Sequence, residues 1–136
     1  MNIKTLICTV FGAMGAGITV LMGGWSKDLL CLIIFMAVDF FTGIMVAAIF
    51  KNSKKTGSGA LSSCVTYKGI VKKICELLFV VIANALDIYL GVNFIRSGVI
   101  VGFMVNELIS IVENAALMGI VAPIISDAID ILKKGM

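Results

Sequence analysis

The chain has 136 residues, 60% of them hydrophobic, with a formal net charge of +3 and a mean hydropathy of +1.13. That composition leaves too little polar surface for a soluble fold, and the length allows one hydrophobic unit. Histidine is absent, which removes the commonest general base and metal ligand. Cys8, Cys31, Cys64 and Cys75 lie far apart with no CxxC or Cys/His spacing, so neither a zinc site nor a disulfide framework is expected, and no cofactor.

Four apolar runs follow in order: Lys4–Gly23, Leu29–Phe50, Ile74–Ile95 and Ser97–Ala122. Each is close to the ~20 residues that a helix needs to cross about 30 Å of hydrocarbon. The predicted fold is all-α: one polytopic membrane domain over residues 1–136, with four transmembrane helices and a short C-terminal amphipathic helix.

The first run is rich in small residues, and Gly12/Ala16 and Ala13/Gly17 form small-xxx-small pairs that favour close helix approach. Small residues near Ala13–Gly17 also permit a second reading, a cleaved signal sequence. The length of the run favours a retained span, as does Gly23-Gly24-Trp25-Ser26-Lys27-Asp28, a tight interfacial turn with an aromatic anchor. In the second run, Asp39 and Thr42 are i,i+3 neighbours followed by Gly43.

Residues 51–73 form a basic loop carrying Lys51, Lys54, Lys55, Lys68, Lys72 and Lys73. The positive-inside rule places this loop in the cytoplasm, and four spans then place both termini there. Nine of the eleven basic residues fall inside on this topology, and only Lys27 and Arg96 fall outside. The loop divides into a flexible Lys/Gly/Ser/Thr-rich part over 52–63 and a part from Tyr67 that leads into the third span. Its lysines suit anionic lipid headgroups better than nucleic acid.

The third run places Glu76, Asn84 and Asp87 on one face, and the fourth places Asn106, Glu107, Ser110, Glu113 and Asn114 within about a third of the helix circumference. The fourth opens with Gly98 and Gly102 in a literal GxxxG. Pro123 closes it and starts a segment over 123–134. Ile124, Ile125, Ala128, Ile129 and Leu132 form its apolar stripe, which suits the inner membrane surface or another subunit.

Asp39, Asp87, Glu107 and Glu113 fall inside the spans, where each costs roughly 2.5–3.5 kcal/mol on insertion scales. No lysine or arginine is expected at that depth. The acids must then be protonated, hydrogen-bonded within a bundle, or wetted in an assembled pore. The expected candidate face is Asp39, Thr42, Asn84, Asp87, Asn106, Glu107, Ser110, Glu113 and Asn114, able to pass from a packed to a wetted state. The expected helix-packing positions are Gly12, Ala16, Gly43, Gly98 and Gly102.

From about Asp39 to Leu132 the chain resembles the toxin-secretion/phage-lysis holin family of Gram-positive phages and clostridia. Asp39-Phe40-Phe41-Thr42-Gly43 is similar to that family's D-x-x-T-G segment, and Lys68-Gly69-Ile70-Val71-Lys72-Lys73, after Ser62, to its G-x-x-K-K segment. Asp87 matches an acidic residue of the next helix, and Asn106-Glu107-Leu108-Ile109-Ser110-Ile111-Val112-Glu113-Asn114 is similar to the N-E-x-x-S-I-x-E-N block. Gly119 and Pro123 follow at matching spacing.

The resemblance implies a holin, which homo-oligomerises in the bacterial cytoplasmic membrane and opens lesions that release endolysin or, in some clostridia, toxin. It implies neither catalysis nor a cofactor. Three other classes fit the residues in part. A small proton-coupled exporter would carry an acid in its first span, and Thr5–Gly24 holds none. An intramembrane aspartyl protease would pair Asp39 with Asp87. An antiholin or membrane assembly factor shares the features of a holin.

Overall fold

The computed structural model describes residues 1–120 and 123–135, the latter without the side chains of 123–126. Five helices follow in order: α1 (Ile3–Leu21), α2 (Lys27–Ala48), α3 (Ser63–Leu90), α4 (Ile95–Leu117) and α5 (Pro123–Gly135). Among the described residues there is no strand. Three helices, α1, α2 and α4, are long and apolar enough to cross a membrane. α3 is longer than any of them, but Lys72, Lys73, Glu76 and Asp87 interrupt its apolar course.

Local signals set the helix ends. Asn2 caps α1 by accepting from the Lys4 amide, and Ser26 caps α2 by accepting from the Leu29 amide. α3 stops at Gly91, whose left-handed backbone suits a residue without Cβ. α3 begins at Ser63, so Lys68, Lys72 and Lys73 stand on a helix rather than in the basic loop.

α4 is the centre of the fold: α2 packs along it, α3 packs on it beside α2, and α5 folds back on it. Leu29, Leu32 and Met36 recur at i, i+3, i+7 on α2 and meet Val80 of α3 and Ile100 of α4. Met22, from the turn after α1, completes this dry cluster. α1 itself touches only α3 and buries none of its residues. The apolar stripe expected on α5 begins at Ile124 and Ile125, whose side chains lie outside the described residues.

Polar groups fasten the end of the bundle where the α1–α2 turn meets the α3–α4 turn. The Asp87 carboxylate accepts from the Ile95 and Arg96 amides, both at 2.9 Å, and so caps α4 from the neighbouring helix. The Arg96 guanidinium donates to the Met22 carbonyl, to the Gly24 carbonyl at 3.1 Å and to Ser26 Oγ at 3.0 Å, with Asp28 at 3.8 Å. Asn84 Nδ2 donates to the Leu21 carbonyl at 3.0 Å.

Gly23 sits inside this fastening with φ +90°, and a Cβ there would lie 2.6 Å from Asn84 Oδ1 and 2.8 Å from Arg96 Nε. Gly23→Ala is therefore expected to destabilise the fold by about 1–3 kcal/mol, from strained backbone and displaced partners. Chemical unfolding in detergent micelles measures it, and Gly24→Ala, where the added atom meets open space, separates backbone strain from crowding.

Candidate functional site

The stripe that builds the dry cluster continues into a polar one. On α2, Asp39 follows Leu29, Leu32 and Met36 at the next i+3 position. On α3, Lys73, Glu76, Val80, Ala83 and Asp87 recur at i+3 and i+4. On α4, Ile100, Glu107 and Asn114 recur every seven residues. Packing the three stripes together brings the polar members into one layer next to the apolar cluster.

Lys73 lies at the centre of that layer. Its ammonium bonds Asp39 Oδ2 at 2.7 Å and Glu107 Oε2 at 2.6 Å. All three side chains are largely withdrawn from solvent, at 17%, 9% and 3% exposure respectively. Asn114 extends the network, its Nδ2 donating to Asp39 Oδ1 at 3.2 Å and to Thr42 Oγ1 at 2.9 Å. Thr42 in turn donates to the Val38 carbonyl at 2.8 Å. Ser110 stands beside Asp39, and Gly43 leaves room for the Asn114 amide at 3.7 Å.

The expectation that no cation reaches the deep acids is therefore wrong. Lys73 turns inward between two carboxylates because it lies seven residues before the buried Val80 and so points the same way, whereas Lys72, about 100° round the helix, faces the α3–α4 groove. The sequence carried a signal for this: Lys73 lies seven residues before Val80, on the buried stripe. A single ammonium this close to two carboxylates offsets part of the insertion penalty of Asp39 and Glu107.

The expected polar face divides. Asp39, Thr42, Glu107, Ser110 and Asn114 come together around Lys73. Asn84 and Asp87 belong to the fastening at the other end. Asp39 and Asp87 thus have separate partners and form no pair of the kind a shared-proton hydrolase needs. Asn106 and Glu113 are exposed, and Glu113 pairs with Lys133 of α5. Of the small residues expected at helix contacts, only Gly43 meets another helix; Gly12, Gly98 and Gly102 face open space, and Ala16 is exposed.

Glu76, which the sequence places on a face with Asn84 and Asp87 but outside the candidate set, lies elsewhere than those two. It is 5% exposed, stands beside Glu107, and its Oε2 has no hydrogen-bond partner. It lines an open groove of about 650 Å3 between α3 and α4, with Lys72, Cys75, Phe79, Phe103 and Asn106. All four cysteines are free thiols, and no cluster of three or more metal-ligating side chains occurs among the described residues.

Comparison with known proteins gives this arrangement its family. The bacteriophage holin family profile matches residues 16–134. The probable holin of Bacillus phage phi105 is 29% identical over 113 residues, covering 82% of this chain and 78% of that protein. The uncharacterized protein Lmo0128 of Listeria monocytogenes is 37% identical over 116 residues, covering 83% and 77%. An uncharacterized 14.9 kDa protein in the nagH 3′ region of Clostridium perfringens is 31% identical over 113 residues, covering 82% and 80%. No solved structure matches. With helices of membrane-crossing length and a family match running from the end of α1 into α5, the chain belongs to the bacteriophage holin family.

Proposed function

We propose that the protein is a holin that homo-oligomerises in the bacterial cytoplasmic membrane and opens lesions through which an endolysin, or a secreted toxin, leaves the cell. In this reading α1 to α4 all cross the bilayer, both termini are cytoplasmic and α5 lies on the inner surface. The protein is not an enzyme and needs no cofactor. Family membership over residues 16–134 supports the activity. The placement of nine basic residues on one side supports the orientation. Lys51, Lys54, Lys55, Lys68 and Lys72 are exposed and suit anionic headgroups.

The observation that carries the mechanism is the ammonium of Lys73 between Asp39 and Glu107. In the resting subunit the pair is dry and closes the inner face of α2, α3 and α4. Buried ion pairs nearly break even against their hydrated components. The network can therefore exchange protein partners for water at small net cost once neighbouring subunits separate the helices. Asp39, Glu107, Thr42, Ser110 and Asn114 then become a hydrated lining, and wetting stabilises the open state. Glu113 stands outside this switch, since it already faces the α5 side.

Three outcomes test the reading. Lys73→Met strands two buried carboxylates, so it is expected to cost about 3–5 kcal/mol of subunit stability in micelles and to advance lysis at matched expression. The triple variant Asp39→Asn, Lys73→Met, Glu107→Gln removes the charges together; it should fold and delay lysis, and unchanged timing would refute the switch. Glu113→Gln breaks only an exposed pair and should shift stability by less than about 1 kcal/mol with normal timing. For the activity itself, inducible expression beside a cytoplasmic endolysin is expected to give abrupt lysis. Endolysin retained in intact cells would refute the holin reading, and delay of a resident holin would mark an antiholin.

A further inference from the structure

The outer face of α3 and α4 takes no part in the polar layer beneath it. On α3, Lys68, Lys72, Cys75 and Phe79 fall within about 60° of one helical face, and all four are exposed. On α4, Asn106, Phe103, Gly102 and Val99 supply the facing stripe. The Phe79 and Phe103 rings meet, with centroids 6.3 Å apart, and close the space between the helices at that level. What is left is a shallow groove of about 650 Å3, polar at its inner mouth and apolar along its floor. A helix about 10 Å across does not fit it, and a single hydrocarbon chain does.

No other helix of the subunit covers this groove. Asn84, which holds the end of α1, stands about 120° round α3 from Lys72. A Cβ added at Gly102 would meet nothing within 4 Å.

The mouth is positive without a counter-charge. Neither Lys68 nor Lys72 has an ion-pair partner among the described residues. The acids near them are engaged or sealed. Asp39 and Glu107 hold Lys73, Glu113 on the same face of α4 holds Lys133, and Glu76 is buried beside Glu107 with its Oε2 closed off from solvent. In the four-span arrangement Lys72 stands at the inner headgroups, with Lys68 one turn further toward the cytoplasm. Phe79 then lies about 10 Å deeper, inside the roughly 15 Å of one leaflet. A negative head at the lysines and an apolar chain over the rings is the shape of one phospholipid of the inner leaflet.

We propose that this groove binds one anionic phospholipid, its phosphate held by Lys68, Lys72 and the Asn106 amide and one acyl chain lying over Gly102, Phe103 and Phe79. Basic pockets between membrane helices on the cytoplasmic side recognise anionic headgroups in general. The proposal rests on the membrane reading above and narrows it, from a basic surface that attracts many headgroups to one site that holds one lipid. Because the lipid touches α3 and α4 together, its binding stabilises their contact by mass action.

The test uses full-length protein in mild detergent with equal amounts of phosphatidylglycerol and phosphatidylcholine, and native mass spectrometry counts the lipids retained on each species. The protein is expected to keep one phosphatidylglycerol per subunit, with about tenfold preference over phosphatidylcholine. Lys72→Ala should lower retention about fivefold. Gly102→Leu, which fills the groove and leaves every charge in place, should lower it by a similar factor. Lys54→Ala removes the same charge from the loop, and Gly12→Leu adds the same bulk to α1; both should leave retention unchanged. Equal retention of the two lipids, indifference to Gly102→Leu, or an equal loss with Lys54→Ala overturns the proposal. Lipid carried by monomers and displaced from oligomers also overturns it, marking the groove as a contact between copies. Normal lysis by protein without selective retention refutes this site and leaves the holin reading intact, whereas selective retention by protein that never lyses cells supports the site and counts against that reading.

Discussion

Lys73 holds three helices to one another through a single ammonium. α2 packs along α4, and α3 packs on α4 but only lightly on α2. The bonds from Lys73 to Asp39 and Glu107 therefore tie α3 to both neighbours at once. Without them the polar layer would hold two unbalanced carboxylates next to an apolar cluster, and a low-dielectric surround makes that arrangement costly. The same low dielectric makes the paired arrangement specific, because a slip of α3 along α4 would carry the Lys73 ammonium away from both acids.

The two ends of the bundle use polar groups differently. Around Arg96 and Asp87 most partners are backbone groups, the carbonyls of the α1–α2 turn and the first amides of α4. Around Lys73 the partners are mostly side chains, free to turn toward water. One end is thus a fixed joint and the other a contact that can open.

Much of this was legible in the chain. Apolar run length and turn residues gave the helices, and the family's short motifs gave the polar positions on α2, α3 and α4. The inward course of Lys73 is hidden in the sequence because a run of lysines near a membrane boundary reads as one headgroup cluster, although Lys72 and Lys73 occupy different helical faces. Asp87 and Asn84 looked like members of the same polar face as Glu107. Their actual partners are backbone atoms at the ends of α1 and α4, and no side-chain periodicity encodes those. The open faces of Gly12, Gly98 and Gly102 depend on where the other helices lie, so spacing alone marked the glycines without showing whether the subunit itself uses them.

The cap that Asp87 places on α4 bears on how the chain enters the membrane. In the four-span arrangement α3 is too charged to partition readily by itself. The carboxylate that would oppose its insertion is already engaged with the first amides of α4, and Arg96 follows directly. The pair α3–α4 is thus suited to translocate as one pre-joined hairpin, carrying its opposite charges across together, so that biogenesis of the third helix would depend on completed synthesis of the fourth.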